Sequence, residues 1–203
     1  NSLISPWSPD SLTLLAFKRD ITGVVRQPRV HWLNSFEEVE YIPWVRAGTK
    51  LEQITPYFID IRSGKQTLIK IDPMEDRYIC LLGWLVSGKE VLLISYKRDM
   101  TALDIVAADI RTGDVRVVMH EEADTFLRQQ VDTLNGHHGF KLLPNDSGFL
   151  WLSTRDNYNH IYHYALDGTL INQLTAGDWA VYDICKVGAD GYVYFTAAID
   201  TVR

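Results

Sequence analysis

Short apolar runs dominate the sequence, and polar turn residues separate them. The runs are rich in Val, Ile, Leu, Tyr and Phe, while Gly, Asp, Asn and Pro lie between them. Apolar residues at helical spacing are nearly absent, and only Glu121–Gln130 could form a short helical turn. This pattern predicts an all-β chain.

A polar turn followed by an apolar strand occurs four times. The predicted strands are Leu12–Phe17, Val91–Tyr96, Phe149–Ser153 and Tyr192–Thr196. Three of them lead into the same dipeptide, at Arg19-Asp20, Arg98-Asp99 and Arg155-Asp156. A pair repeated at equivalent positions indicates a strand-end corner, in which the carboxylate accepts backbone N–H groups and the arginine braces a neighbouring sheet.

A second turn, which closes each unit, occurs three times, with its glycine at Gly64, Gly113 and Gly168. It leads into short apolar strands predicted at Thr67–Ile71, Val115–Met119 and Leu170–Leu174. Repeats of about 40 to 50 residues with about four strands each are typical of β-propellers. We therefore expect residues 1–203 to form a partial β-propeller of about four blades, some incomplete, each a four-stranded antiparallel sheet. Because four opening turns accompany three closing turns, a fragment of a larger ring is favoured over a closed four-bladed one.

One unit is longer than the others. About 40 residues separate Asp20 from Asp60, against about 10 between Asp99 and Asp109. The surplus falls at about residues 21–50, which hold Trp32, Phe36, Tyr41 and Trp44 among others. A segment this apolar predicts an extended arm that makes an interface, and the alternative is an arm folded back on its own blade.

Charge and composition exclude several classes of function. The chain carries a net charge of -6, which disfavours nucleic acid as a partner. It has no run of 18 apolar residues, so no membrane-spanning helix is predicted. The two cysteines, Cys80 and Cys185, lie in apolar runs and are expected to be buried free thiols, with one disulfide as the alternative. The pairs His137-His138 and His160/His163 divide between opposite sides of an extended chain, so neither a metal nor a cofactor is predicted.

Several longer motifs resemble one family. The run from Gly148 to Tyr162, GFLWLSTRDNYNHIY, is similar to F-x-W-x-S-E-R-D-G-W-N-H-L-Y in the N-terminal propeller of dipeptidyl peptidase IV-like serine peptidases. The stretches 167–181 and 191–197 resemble that family's G-x-L-I-R-Q-L-T-x-G-x-W-x-V and G-x-V-Y-F-T-A. Shorter matches are Trp7-Ser8-Pro9-Asp10, Tyr41-Ile42-Pro43 and Ala47-Gly48. Two departures, Asn157-Tyr158 for Gly-Trp and a missing Asn-Pro after Ala-Gly, leave dipeptidyl or tripeptidyl specificity open.

The resemblance implies the non-catalytic propeller of an exopeptidase that acts on peptides with Pro or Ala near the N-terminus. In that family a C-terminal α/β-hydrolase domain holds the Ser-Asp-His triad, and the propeller covers it and restricts access. The arm would then join two subunits, and the parent would be periplasmic, at the cell surface or secreted. No serine here lies in a G-x-S-x-G nucleophile elbow. The hydrolase domain is therefore expected to lie outside these residues, and no catalytic residue is predicted within them.

One polar, Gly-containing segment, at 132–139, is a candidate binding loop. It supplies the predicted substrate-binding residues Asn135, His137 and His138, and a plain solvent loop is the alternative. The consecutive residues Glu37 and Glu38 lie in the predicted arm and are interpreted as solvated. Two other functions stay open: a stand-alone propeller scaffold, although the Trp-Asp and Gly-His repeat signatures are missing, and a sugar-acting propeller, although no two carboxylates converge.

Overall fold

A computed structural model describes residues 4–71, 76–127 and 139–198. Within them the regular elements are antiparallel strands and one short 3-10 helix, Pro144–Asp146. The strands are β1 (Thr13–Asp20), β2 (Arg26–His31), β3 (Glu38–Pro43), β4 (Gln53–Asp60), β5 (Gln66–Leu68), β6 (Arg77–Trp84), β7 (Glu90–Lys97), β8 (Ala102–Asp109), β9 (Val115–Glu122), β10 (Phe140–Leu142), β11 (Phe149–Asp156), β12 (Tyr158–Tyr164), β13 (Leu170–Gln173), β14 (Ala180–Val187) and β15 (Val193–Ala198). The predicted all-β class is confirmed.

In the described residues, four sheets follow one another along the chain, and a fifth, the separate hairpin β2-β3, is inserted between two strands of the first. The first has the order β1-β4-β5, with a single bridge from Trp7 to Leu14 beside β1. The second is β6-β7-β8-β9 and the third is β10-β11-β12-β13, so both are four-stranded meanders. The fourth is the hairpin β14-β15. Two complete and two incomplete sheets are the partial propeller that the repeats predict.

The second sheet is buried on both faces. Along β7, Val91 and Leu93 pack with residues of the first sheet, whereas Leu92 and Ile94 pack with residues of the third. The neighbouring β8 alternates in the same way, and the side chains of Val91, Leu92 and Leu93 have no exposed surface. Since successive side chains of a strand point to opposite faces, this continuous apolar run supplies two separate cores.

The third sheet repeats this arrangement. Phe149 and Trp151 of β11 face the second sheet, while Leu150 and Leu152 face β14. On that side they meet Val181 and Ile184 of the fourth sheet, both fully buried. Each of the three cores therefore lies between two successive sheets, which fixes the order of the sheets in space.

Backbone geometry repeats at the closing turns. In the first sheet the N–H of Asp60 donates to Lys65 O at 2.9 Å and that of Gly64 donates to Asp60 O at 2.8 Å. In the second sheet Asp109 pairs with Asp114 and Gly113 with Asp109 at the same two distances. Gly64 and Gly113 have φ of 69° and 71°, a left-handed conformation that glycine adopts without a Cβ penalty.

Two expectations are wrong. Glu121 and Glu122 belong to β9, and no helix forms in the described part of the predicted turn, up to Leu127. Their strand pairing with Leu103 and Ala102 outweighs the local preference. Both cysteines are free, as expected, but only Cys80 is partly buried, whereas Cys185 is exposed. Its neighbour Ile184 fills the core instead, because a strand cannot bury adjacent side chains on one face.

Candidate functional site

A separate hairpin is inserted in the chain between β1 and β4, which are neighbouring strands of the first sheet. Strands β2 and β3 pair with each other from Arg26 opposite Pro43 to His31 opposite Glu38, and they join no other sheet. We call residues 26–43 the arm. The expected surplus segment thus has a regular antiparallel core, in which His31 lies 3.3 Å from the carboxylate of Glu40.

Large apolar side chains cover the tip of the arm. Trp32, Leu33 and Phe36 are 72%, 82% and 88% exposed. Val30, Val39 and Tyr41 along its strands are also exposed. Contiguous apolar surface of this kind marks an interaction site in a soluble protein. Neither strand of the arm pairs with β1, β4 or β5.

An arginine of the second sheet holds the chain that follows the arm. The guanidinium of Arg98 donates to the carbonyl oxygens of Arg46 and Thr49. The same turn is closed by Thr49, whose N–H donates to Arg46 O at 3.0 Å and whose hydroxyl accepts from Arg46 N at 2.9 Å. Because the Arg98 side chain is only 19% exposed, these charge-assisted bonds fix the base of the arm against a neighbouring sheet.

A buried carboxylate joins the second sheet to the third. Glu121 of β9, with a side chain 9% exposed, accepts a hydrogen bond from Trp151 Nε1 at 2.7 Å and another from the Ser153 hydroxyl. The guanidinium of Arg155 lies 3.6 Å from the same carboxylate. A buried charge needs such partners, so we call Glu121, Trp151, Ser153 and Arg155 the inter-sheet polar cluster.

Aromatic and acidic groups extend this cluster. The Arg155 guanidinium lies 4.3 Å from the ring centroid of Tyr162, a cation–π distance. The Tyr162 hydroxyl donates to Asp156 at 2.5 Å. Burial and this hydrogen bond raise the pKa of Tyr162, so the phenol stays protonated at neutral pH.

Geometry gives the cluster a structural role. The Ser153 hydroxyl donates to the Glu121 carboxylate and accepts from Arg155 Nε at 3.0 Å, and among the described residues no imidazole bonds to it. A serine nucleophile needs such a base. His160, which lies nearby in β12, instead bonds to Thr175 and to the carbonyl of Gly177 at 3.0 Å. Within 4–71, 76–127 and 139–198, no group of His, Cys, Asp or Glu is arranged to hold a metal.

The predicted substrate-binding residues Asn135, His137 and His138 lie outside the described residues. The structure describes what precedes and follows them. Leu127 is buried and its N–H donates to Met100 O at 2.6 Å. Gly139 accepts at its carbonyl oxygen from Leu152 N at 2.8 Å. The last described residue before the candidate loop, Leu127, is therefore held to the second sheet, and Gly139, the first described residue after the gap, is held to the third.

Other singled-out residues have clear positions. Glu37 and Glu38 are exposed at the tip of the arm, as interpreted. Asp20 and Asp99 accept N–H groups two residues ahead, at Thr22 and Thr101, and hydrogen bonds from those two threonines lower the pKa of each carboxyl. Sequence reasoning missed Glu121, because it lay in the segment assigned to a helical turn. Trp151 and Ser153 lie two residues apart in an apolar strand, so their side chains share a face, and both carry hydrogen-bonding groups. That pair was the available signal for a polar group between the sheets.

The stacked sheets define the class of protein, a segment of a β-propeller. A structure of Porphyromonas gingivalis dipeptidyl peptidase 4 superposes with a TM-score of 0.86 over 97% of this chain and 27% of its own, at 17% identity. A structure from Bacteroides ovatus, described as a dipeptidyl aminopeptidase IV, gives a TM-score of 0.74 at 25% identity, over 94% of this chain and 29% of its own.

Sequence comparison identifies the family. The family model for the dipeptidyl peptidase IV N-terminal region matches residues 3–203, so the chain belongs to that family. Dipeptidyl peptidase 4 of Trichophyton rubrum is 24% identical over 94% of this chain and 26% of its own length. The chain thus spans about a quarter of the curated relatives it matches. Among the described residues, no helix is long and apolar enough to cross a membrane.

Proposed function

We propose that this chain is the non-catalytic propeller part of a prolyl-specific serine exopeptidase. The observation that carries the proposal is the family match over residues 3–203, together with a fold shared with dipeptidyl peptidase 4. The sequence contains no nucleophile elbow, and among the described residues no imidazole bonds to the Ser153 hydroxyl. We therefore assign hydrolysis to a C-terminal α/β-hydrolase domain of a longer polypeptide, called the intact protein below.

In this proposal the propeller controls access of peptides to the hydrolase domain. Its substrates are peptides with Pro or Ala near a free N-terminus, and the enzyme acts in the periplasm, at the cell surface or after secretion. A rigid propeller suits this role, because sheets that share three apolar cores hold their connecting loops in fixed positions.

The direct test compares the intact protein with residues 1–203 alone. We expect the intact protein to release a chromophore from a Pro-linked dipeptide substrate, and a serine-directed phosphonate to block it. The 203-residue chain should show no turnover, because none of its serines lies in a nucleophile elbow. Turnover by the short chain, blocked by the phosphonate, would contradict the assignment. An intact protein inactive on all such peptides would instead favour a protein-binding scaffold.

We also propose that Asn135, His137 and His138 contact the substrate. The support is their polar, Gly-containing segment, which follows Leu127, bonded to the second sheet, and leads to Gly139, bonded to the third. Polar loops on a rigid scaffold commonly carry binding residues.

Replacing Asn135 and His137 with Ala in the intact protein should raise KM by roughly tenfold, the effect of about one lost charge-assisted or buried hydrogen bond. The unfolding temperature should stay unchanged. Asn172→Ala, at an exposed position of β13, is the matched control and should alter neither value. Unchanged kinetics of the double variant would make 132–139 a plain solvent loop.

The arm is proposed to join two subunits of a homodimer. Its tip exposes Trp32, Leu33 and Phe36, and its base is held by Arg98. Because the base is fixed, the apolar tip has a defined position, and each copy of the chain presents the same surface to its partner. A two-fold, isologous contact is the commonest way to bury such a surface.

Deleting residues 24–40 from the intact protein should convert a dimer into a monomer in light scattering. A milder double variant, Trp32→Ser with Phe36→Ser, should weaken the dimer because it removes two of the most exposed apolar side chains. Tyr192→Ser, at a position 69% exposed just before β15, is the control and should leave the dimer intact. A dimer of unchanged affinity after the deletion would show that the arm is not the interface.

A further inference from the structure

Four polar side chains form a row across the second sheet, one from each strand. In the strand register, Ser95 of β7 lies opposite Asp104 of β8, and Asp104 lies opposite His120 of β9. Arg77 of β6 completes the row, since its guanidinium donates to the Ser95 hydroxyl at 3.3 Å and to Asp104 at 2.7 Å. Asp104 precedes Val106 by two residues, so the row lies on the face that packs against the first sheet.

Asp104 is shared between two basic groups. One carboxylate oxygen accepts from Arg77 at 2.7 Å, and the other lies 2.6 Å from His120 Nδ1. The Arg77 side chain is only 9% exposed, and a buried guanidinium needs a partner of opposite charge. Asp104 therefore connects β6 with β9, the two edge strands of the second sheet.

The imidazole of His120 has a carboxylate at each ring nitrogen. Nδ1 meets Asp104, and Nε2 lies 3.6 Å from Glu122, an ion-pair distance. A neutral imidazole donates from only one nitrogen, whereas the imidazolium donates from both. Carboxylates at the two nitrogens therefore favour the protonated ring. In agreement, the hydrogen bond to Asp104 raises the pKa of His120 above its ordinary value, although partial burial acts in the opposite direction.

The other cations that line the cavity beside this row have partners of opposite charge. They form the ion pairs Lys70 with Asp114, at 2.6 Å, and Arg116 with Glu90, at 3.0 Å. On the opposite face of the sheet, Glu121 is bonded within the inter-sheet polar cluster. In the described part of the chain, Asp104 from β8 and Glu122 from β9 are thus the two charges that act on the His120 ring.

The strand that carries His120 is an edge strand. β9 pairs with β8 alone, and its register shifts opposite Ile105 and Val106. The next residue, Glu121, points to the other face and accepts from Trp151 of the third sheet. His120 and Glu121 therefore hold the end of β9 from its two faces. An edge strand is paired on one side only, so its local opening depends strongly on such side-chain contacts.

We propose that His120 acts as a pH-dependent clamp on the end of β9. The protonated ring bridges Asp104 and Glu122 and holds this edge strand to the rest of the second sheet. Because folding raises the pKa of His120, its contribution to stability is complete below about pH 6.5, the ordinary histidine value. That contribution is lost as the pH rises through the higher value of the folded protein, so β9 opens more readily in mildly alkaline solution. The inference does not depend on peptidase activity.

Amide hydrogen exchange of the intact protein, read by mass spectrometry on peptides that cover residues 115–122, tests the clamp. His120→Gln keeps a hydrogen-bond donor but cannot carry a charge. Compared with wild type at the same pH, it should exchange about fivefold faster at about pH 5.5, because a charge-assisted contact is lost, and at nearly the wild-type rate at about pH 9. His31→Gln removes an exposed histidine that lies 3.3 Å from Glu40 in the arm, and this matched control should leave the peptides unchanged. A His120→Gln effect of equal size at both pH values would contradict the clamp.

Titration of the ring in the wild-type intact protein is a second measurement that needs no substitution at His120. Exchange of the histidine C2 hydrogen, also read by mass spectrometry, follows the protonation of a single imidazole. We expect a midpoint for His120 above roughly 6.5. Glu122→Gln, at a side chain 78% exposed, should fold normally and lower this midpoint. A wild-type midpoint at or below the ordinary value, or one that Glu122→Gln leaves unchanged, would overturn the proposed bridge.

Discussion

Burial of both faces of a sheet is the constraint on which this structure depends. A four-stranded sheet with apolar residues at every position cannot cover itself, so each face needs another sheet. In β7, the consecutive residues Val91, Leu92 and Leu93 enter two different cores. The order of the sheets along the chain, their stacking and the positions of their loops all follow from this one requirement.

Polar contacts at the sheet ends fix how neighbouring sheets are aligned. Glu121 ties the second sheet to the third, and Arg98 ties the second sheet to the turn that follows the arm. Asp146 accepts hydrogen bonds from Val86 N at 2.8 Å and Ser87 N at 3.1 Å, which joins the opening turns of the second and third sheets. Apolar packing alone tolerates sliding, whereas these bonds fix one arrangement. The turn that follows the arm is attached at such a fixed point.

Local sequence specifies the repeating unit well. Turn glycines such as Gly64 and Gly113, with apolar strands after them, predict the sheets and their number because backbone conformation and side-chain alternation are local properties. Long-range pairing is less predictable. Glu121 pairs with Leu103 of β8, a partner distant in sequence, and the short β5 ends at Leu68, the last residue that pairs with β4. The repeated Arg-Asp pair predicts that Arg98 braces a neighbouring sheet, but its partners, the carbonyls of Arg46 and Thr49, lie about 50 positions away and no local pattern identifies them.

Free energies of unfolding measured for core variants of the intact protein test the central claim most directly. Leu92→Ala and Leu93→Ala remove neighbouring side chains that enter opposite cores, and Val117→Ala, at a position 61% exposed, is the control. The account predicts that both leucine variants lose about 2–5 kcal/mol, because each leaves a cavity between two sheets, while the control loses less than about 0.5 kcal/mol. If either leucine variant matched the control, that face of the second sheet would not be held by a neighbouring sheet, and the account would be wrong.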